Sequence, residues 1–348
     1  MPNVTIQKTD SNAVLNRINK GVLHNDVYAT NFSMAFFQNP NAYASKSIFP
    51  TVPVSLPVGK YAIFSKGDLA RVNVALKPQF GKVQPFQVST QDDLYSVDVY
   101  QAIIGLDLIE QTKVDRSGVP GASNVKRSRT RILNDQFAMH QDILFADKFF
   151  KAGAWEDEWT GTDSTASGSA QEFLKFGNAN FEPIKFFDDL KTAMLKKTRR
   201  TPNKLLLGIE AYNALRENPN LIDRINGSSS KASPSILNRA DLAKLLEIDE
   251  IYVFGATYNA APLGKPDDMR FIADPTAALL CYAPNTPAID EPSAGYSFTW
   301  DMLGNGQYAP VFVNQGMPGT HSEELEGLLA TSHKKTCDEL GIFLKECV

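Results

Sequence analysis

The sequence predicts an α+β protein in which an extended β-hairpin and one long helix accompany a compact α/β unit. Three observations predict this class. β-type patterning surrounds a turn between residues 60 and 100, a helical apolar stripe runs through 124–150, and short helices alternate with apolar strands after residue 187. The chain has 348 residues, enough for about two domains. Its 43% of apolar and 21% of charged residues are typical of a globular core.

The charge balance excludes a protein that holds nucleic acid mainly through phosphate contacts. Lys and Arg number 35 and Asp and Glu number 39, so the formal net charge is −4, whereas strong phosphate binding needs a basic surface. The apolar runs are far shorter than the ~20 residues of a membrane span, and the polar N-terminal residues lack the apolar core of a secretory signal. Cys281, Cys337 and Cys347 form neither a disulfide framework nor a CxxC pair, which favours a reducing cytoplasm.

Residues 1–50 have the composition of an arm that lies against something else. The segment is too polar, with many Asn residues, to form a core alone. It is also too rich in aromatic residues for a solvated tail. These aromatic residues are Tyr28, Phe32, Phe36, Phe37 and Phe49.

A long hairpin is predicted after this arm. Pro78 and Gly81 favour a turn over residues 77–82, because proline fixes φ and glycine permits positive φ. Alternating or apolar β-type patterning predicts strands on either side of it, over residues 60–65, 69–76, 83–88 and 94–100. Such a hairpin has little core of its own, so another element or subunit is expected to cover it.

Residues 124–150 form the strongest helix candidate, roughly 40 Å long at 1.5 Å per residue. The predicted apolar stripe has helical spacing and comprises Leu133, Phe137, His140 and Leu144, widened by Ile132, Met139, Ile143 and Phe150. Small residues over 161–170 predict an exposed loop beyond it.

The second half of the chain is predicted to form an α/β unit and terminal strands. Helices are expected near 187–194 and over 211–217 and 239–246, with a loop at 226–229. Apolar strands are expected over 205–207, 251–254, 271–273, 278–282, 311–313, 325–331 and 341–345.

No constellation of residues predicts a catalytic, cofactor-binding or metal site. The chain has four histidines and no GxSxG elbow. His140 lies in the apolar stripe and is predicted to be a packed, hydrogen-bonded histidine, whereas His321 and His333 are predicted at the surface. The paired Asp188 and Asp189 are expected to cap a helix start. The glycines around Gly264 and over 304–306 lack the remainder of a phosphate-binding loop and predict turns.

Two basic clusters leave alternatives open. They could contact nucleic-acid phosphates, contact an acidic neighbouring subunit, or form solvated helix faces. Their members are Lys126, Arg127, Arg129 and Arg131 in the first cluster, and Lys196, Lys197, Arg199 and Arg200 in the second.

The order of these parts resembles the major capsid proteins of tailed bacteriophages. Residues 47–71 (SIFPTVPVSLPVGKYAIFSKGDLAR) resemble the family's passage from arm to extended loop, and 134–150 (NDQFAMHQDILFADKFF) its spine helix. Residues 201–225 and 240–259 are similar to the strands and helices of its axial domain. The resemblance covers nearly the whole chain and rests on the order of structural patterns.

This resemblance implies a structural, non-enzymatic protein built from four regions. It implies an N-terminal arm over 1–50, an extended loop over 51–105, a peripheral domain over 106–178 and 313–348, and an axial domain over 179–312. The expected function is self-assembly into hexamers, pentamers and an icosahedral shell that encloses double-stranded DNA. No long charged scaffolding region precedes the extended loop, so scaffolding would come from another protein or be dispensable.

The expected partners are other copies of the chain, together with separate scaffolding, portal and decoration proteins. Packaged DNA would contact the acidic subunit weakly and non-specifically, and no membrane partner is expected. The expected location is the virion capsid, assembled in the host cytoplasm. Two alternatives remain, an encapsulin-like cellular nanocompartment shell protein and a cytosolic α/β enzyme.

Overall fold

Two six-stranded sheets organise the described part of the chain. The structure is a computed structural model that describes residues 24–25, 43–64, 71–77, 79–83, 85–109, 112, 125–164, 166, 170–228, 237–262, 264–287, 291–304 and 306–348. The predicted arm residues Tyr28, Phe32, Phe36 and Phe37 lie outside these ranges. No helix within them is long and apolar enough to cross a membrane.

The long-strand sheet has the order β1-β14-β15-β13-β2, with β5 paired to β15. Its strands are β1 (His24–Asn25), β2 (Thr51–Val54), β5 (Asp98–Asp107), β13 (Gly295–Trp300), β14 (Val311–Gln315) and β15 (Ser322–Lys335). Antiparallel pairing with β5 runs along β15 from Ser322 to Thr331. On its other side β15 pairs first with β14 and then with β13. The predicted strands 311–313 and 325–331 are confirmed, and β15 continues through Lys335.

Helix α2 (Val125–Phe149) covers one face of this sheet and confirms the predicted long helix. Leu133 and Phe137 are buried against Val311 and Leu329. A Cβ atom on Gly327 of β15 would lie 2.5 Å from a ring carbon of Phe137. The close approach of the helix to the strand therefore requires glycine at position 327. Ile132, predicted within the apolar stripe, is instead 42% exposed.

The α/β sheet has the order β7-β6-β16-β12-β8-β9. Its strands are β6 (Asp157–Thr162), β7 (Glu172–Leu174), β8 (Lys204–Gly208), β9 (Glu250–Phe254), β12 (Ala278–Cys281) and β16 (Gly341–Lys345). Helices associated with this unit are α3 (Pro183–Thr198), α4 (Ile209–Arg216), α5 (Pro219–Ser228) and α6 (Arg239–Leu245). The predicted helices and the buried strand 205–207 are therefore confirmed.

Strand β8 shows how the two halves of the core meet. Every residue of β8 is buried. Leu205 and Leu207 pack in one cluster with Phe187 of α3, whereas Leu206 packs in a second cluster with Phe145 of α2. Since successive side chains of a strand point to opposite faces, α3 and the C-terminal half of α2 cover opposite faces of the α/β sheet.

Some predicted boundaries are wrong. The predicted strand 271–273 is replaced by the hairpin β10 (Thr257–Asn259) and β11 (Met269–Phe271), because pairing with β10 determines which residues form a strand. The predicted loop 226–229 begins too early, since α5 continues through Ser228. The predicted domain division at 178/179 and 312/313 stays a prediction, and the α/β sheet combines strands from both sides of it.

Candidate assembly surface

The base of the predicted hairpin is a regular two-stranded sheet. β3 (Val58–Phe64) pairs antiparallel with β4 (Thr90–Ser96), from Val58 opposite Ser96 to Phe64 opposite Thr90. This confirms the strand predicted at 60–65. The strand predicted over 94–100 is divided between β4 and β5 at Val97, because that side chain turns into a buried cluster with Phe298 and Ala330.

Aromatic side chains fasten this base to the long-strand sheet. The Tyr95 ring stacks on Phe298 of β13, with 4.6 Å between centroids and 10° between planes. The Tyr61 ring lies on the same phenylalanine at 5.7 Å. A Cβ atom on Gly59 would lie 2.5 Å from the Tyr95 hydroxyl, so this strand pair also depends on a glycine.

A carboxylate adds directional contacts at the same place. Asp93 accepts a 2.7 Å hydrogen bond from the Tyr61 hydroxyl and lies 3.3 Å from the Lys334 ammonium. The Tyr61 hydrogen bond is the largest cause that lowers the pKa of Asp93, and Lys334 lowers it further. Burial and Asp93 together raise the pKa of Tyr61. The hairpin therefore leaves the body in a fixed direction.

The distal part of the hairpin contains no strand among the residues described. Residues 71–77 and 85–89 are irregular, so the strands predicted over 69–76 and 83–88 are wrong where the structure describes them. These residues have the alternating pattern of a strand. A strand forms only when its backbone groups find hydrogen-bond partners, and within the described chain no neighbouring strand pairs with these residues. The turn predicted over 77–82 is confirmed at Gln79 and Phe80.

Apolar side chains on this distal segment are almost fully exposed. We call residues 71–86 the hairpin tip. Phe80 is 100% exposed and Leu76 is 96% exposed. The other exposed apolar residues of the tip are Val72, Val74, Val83 and Phe86. Monomeric proteins rarely leave a group of large apolar side chains in water, so a fixed base that carries such a tip is typical of a surface that contacts another protein.

Strand β5 carries a second exposed apolar face. Tyr100 and Ala102 point toward α2, where Ala102 packs beside Leu133 and Phe137. Val99 and Ile103 alternate with them and are 48% and 54% exposed. Among the described strands β5 pairs with β15 alone, so its other backbone edge is available to a further strand or segment.

His140 is packed, as predicted, but its hydrogen bonding differs from the prediction. Its ring meets Tyr100 edge to face, with 4.3 Å between centroids. Nε2 is buried and has no hydrogen-bond partner within the described residues. Burial lowers the pKa of His140. The described surroundings therefore favour a neutral, packed imidazole.

His333 is buried, which corrects its predicted surface position. The prediction placed His333 beyond the last residue of a strand, but β15 continues through it and turns its side chain inward, where it is 4% exposed. Its Nδ1 lies 2.8 Å from the Ser297 hydroxyl, and its ring meets Phe145 edge to face. Burial, with a smaller contribution from Lys148, lowers the pKa of His333 to about 4. His321 is exposed, as predicted.

Because the imidazole of His333 is buried, the free energy of unfolding is expected to fall in mild acid. The unfolded chain protonates His333 below an ordinary pKa of about 6.5, whereas the folded chain resists protonation until pH is about 4. Unfolding therefore becomes easier as pH falls from 6.5 to 4, with a total loss of roughly 3 kcal/mol. Urea unfolding at several pH values should show this slope, and His333→Gln should reduce it, while His140 and Asp93, whose pKa values are also lowered, still contribute. The exposed His321→Gln variant is the control, and an unchanged slope in His333→Gln contradicts the prediction.

Several members of the basic clusters form ion pairs within the chain. Lys126 lies 3.5 Å from Glu323, and Arg200 lies 3.5 Å from Glu291. Lys197 pairs with Asp157. Intramolecular pairing partly neutralises both clusters, which favours a solvated, salt-bridged surface over strong phosphate binding.

The predicted cap at Asp188 and Asp189 is wrong. Helix α3 begins at Pro183, a turn earlier than predicted, so both carboxylates lie inside the helix. Asp188 pairs instead with Lys191, at 2.7 Å. Proline at the first helical position marks the true start.

The remaining groups that could bind a ligand or take part in a reaction are dispersed or buried. The glycines at 264, 304 and 306 have positive φ angles, consistent with the predicted turns. Cys281 and Cys347 are buried and unbridged, and burial raises the pKa of the Cys281 thiol to about 12. No group of three potential metal ligands occurs among the described residues. A cavity of about 300 Å³ at the start of α3 is lined by residues of α3 and α5, and no histidine borders it.

Comparison with known proteins identifies one related sequence. No protein-family profile matches the chain. The major capsid protein of Burkholderia phage BcepMu is 25% identical over 270 residues, which span 73% of this chain and 77% of that protein. This similarity confirms the resemblance to phage major capsid proteins that the sequence predicts.

Solved structures identify the fold. The crystal structure of a phage-related protein from Bordetella bronchiseptica RB50 has a TM-score of 0.67 and 18% identity, over 93% of this chain and 98% of that chain. The capsid structure of cyanophage P-SCSP1u has a TM-score of 0.50 and 10% identity, over 88% of each chain. The predicted α+β class is confirmed, and the fold is that of a phage capsid protein.

Proposed function

We propose that the chain is the structural major capsid subunit of a bacteriophage head, which assembles with itself into hexamers, pentamers and a closed icosahedral shell around double-stranded DNA. The observation that carries this proposal is the hairpin tip, which is apolar, exposed and held out on a fixed base. The related capsid protein and the capsid fold support the same function. Both also favour a structural role over an enzymatic one.

The physical requirements of a shell agree with this form. A closed shell needs contacts in which one surface of a subunit meets a different surface of the next subunit. An extended hairpin adds interface area that a compact body alone cannot supply, and stable interfaces bury roughly 1,200–2,000 Å². The hairpin tip and the exposed face of β5 are two different apolar surfaces on one chain. We propose that the tip of one copy lies on another copy.

The four-region division predicted from the resemblance belongs to this proposal. Within the arm (1–50) and the extended loop (51–105), the residues that the body does not hold, above all the hairpin tip, would contact neighbouring copies. The peripheral domain (106–178 and 313–348) and the axial domain (179–312) would form the wall. A net charge of −4 suits a wall past which packaged DNA slides with weak, non-specific contact. Separate scaffolding, portal and decoration proteins would complete a head that assembles in the host cytoplasm and remains in the virion.

Assembly of the purified chain tests the proposal directly. We expect light scattering to show species far larger than the 38.3 kDa subunit, and negative-stain images to show rings or closed shells. Particles formed during infection should also protect double-stranded DNA from nuclease. A chain that stays monomeric at high concentration, with crowding agents and with co-expressed scaffold, contradicts the proposal. Closed particles that enclose protein cargo instead of DNA would identify a nanocompartment.

A further inference from the structure

A single-turn helix near the end of the predicted arm begins at a buried carboxylate. Helix α1 (Ser45–Ile48) starts with backbone N–H groups that have no partner inside the helix. The N–H groups of Ala44 and Ser45 instead donate to the two carboxylate oxygens of Asp142, at 3.3 and 2.9 Å. Asp142 belongs to α2, and its side chain is fully buried.

The same helix ends at a buried ammonium group. Lys204, the first residue of β8, donates to the carbonyl oxygens of Ser47 and Ile48, both at 2.9 Å. Its side chain is 2% exposed and lies 3.6 Å from the Glu250 carboxylate. The Tyr252 hydroxyl donates to the Glu250 carboxylate at 2.6 Å and lies 3.2 Å from the same Ser47 carbonyl. A charge from α2 therefore holds one end of α1, and a charge from the α/β sheet holds the other.

Both charges are buried at a cost. Burial raises the pKa of Asp142 and lowers the pKa of Lys204, because each loses hydration in its charged form. Apolar side chains at such positions are often as stabilising as a buried ionic pair. Apolar side chains would also leave the direction of the segment unspecified. Among backbone groups, a carboxylate can accept only from N–H and an ammonium can donate only to a carbonyl, so together they specify one chain direction.

We propose that Asp142 and Lys204 form an ionic latch that fixes residues 44–49 in a single position between α2 and the α/β sheet. The latch determines where the chain segment enters the body, and its opening releases residues 44–49 without unfolding the α/β sheet. Departure of residues 44–49 from this position would leave both buried charges without their backbone partners, which is strongly unfavourable. This inference does not depend on the proposed function.

Cleavage after Lys46 by trypsin measures whether the latch is closed. Lys46 lies inside α1, so the protease must detach residues 44–49 from the body before it can cut there. The experiment uses the full-length, unassembled chain and identifies by mass spectrometry the fragment that begins at Ser47. Cleavage after the exposed Lys82 of the hairpin tip is the internal standard for protease activity.

Two variants remove one charge each, and one variant is a matched control. Lys204→Met keeps the length of the side chain and removes its charge, and Asp142→Asn keeps the shape of the carboxylate. We expect each to accelerate cleavage after Lys46 at least tenfold relative to Lys82. Cleavage after Lys191 in the middle of α3, which requires the body itself to unfold, should remain much slower than cleavage after Lys46. Lys191 is a largely buried lysine that donates to the Leu246 carbonyl after α6, at 2.8 Å. Lys191→Met should leave cleavage after Lys46 unchanged.

Two results would overturn the latch. Unchanged cleavage after Lys46 in both folded variants would show that apolar packing alone holds residues 44–49. Cleavage after Lys46 that is no faster than cleavage after Lys191 would show that the segment leaves only when the whole body unfolds. If Lys204→Met does not fold, its effect is global and the latch is contradicted at that end, while Asp142→Asn decides the other end.

Discussion

Replacement of Phe80 by Asn is expected to prevent most particle assembly and to leave the free subunit as stable as before. Phe80 is fully exposed, so its removal deletes no contact within the described part of the subunit. Its φ of 63° is one that Asn tolerates well. A central aromatic residue in an interface often contributes about 2 kcal/mol or more, so each contact should weaken roughly 30-fold. Shells repeat the contact in every subunit, which multiplies the loss.

The test measures two properties of one variant. Urea unfolding of the unassembled chain reports subunit stability, and light scattering with electron microscopy reports particle yield. Lys82→Ser is the matched control, because it changes an exposed residue of the same hairpin tip without removing apolar surface. A Phe80→Asn chain that still forms particles at the normal yield contradicts a contact at the tip. A loss of several kcal/mol in subunit stability would instead place Phe80 in a core.

Elements with a local signature were predictable from the sequence. The long helix α2 repeats its apolar residues at helical spacing over many turns, and strand β8 is a short apolar run beside a glycine. Both signals are contained in neighbouring residues, so tertiary contacts are not needed to recognise them. The hairpin base was predictable for the same reason, since a turn with proline and glycine separates its two strands.

Features that depend on distant pairing were not predictable. The irregular segment 71–77 has the alternation of a strand, and only the absence of a partner strand within the described chain distinguishes it from one. His333 was misplaced because the end of β15 is decided by β13, more than thirty residues earlier in the chain. Asp142 and Lys204 were missed because charged residues are normally exposed. Lys204 directly precedes the apolar run 205–207 in β8, and this position was the one signal in the sequence that could have identified Lys204 as buried.

Replacement of Phe49 by Ala is expected to destabilise the free subunit, whereas replacement of Phe80 is expected to leave its stability unchanged. Phe49 follows α1 and was predicted, with the other arm aromatics, to lie against something else. The structure places it in the subunit's own core, where it is 1% exposed. Its ring meets Phe149 edge to face at 5.1 Å and Phe145 at 5.2 Å.

The expected loss of unfolding free energy is about 3–5 kcal/mol, the usual cost of truncating a fully buried phenylalanine. The surroundings cannot readily collapse into the cavity, because Gly295 lies against the ring and has no side chain to fill the space. A Cβ atom on that glycine would approach a Phe49 ring carbon to 2.6 Å. Urea unfolding of the unassembled Phe49→Ala chain measures the loss, and Phe80→Asn serves as the exposed counterpart.

The two variants distinguish an aromatic side chain that stabilises the subunit core from one that contacts another copy. A Phe49→Ala loss below about 1 kcal/mol, with assembly abolished, would move Phe49 from the subunit core to an interface. The expected result instead assigns residues 44–49 energetically to the body, although their sequence lies within the predicted arm. It follows that Phe49 stabilises the subunit body and is not available for contact with a neighbouring copy.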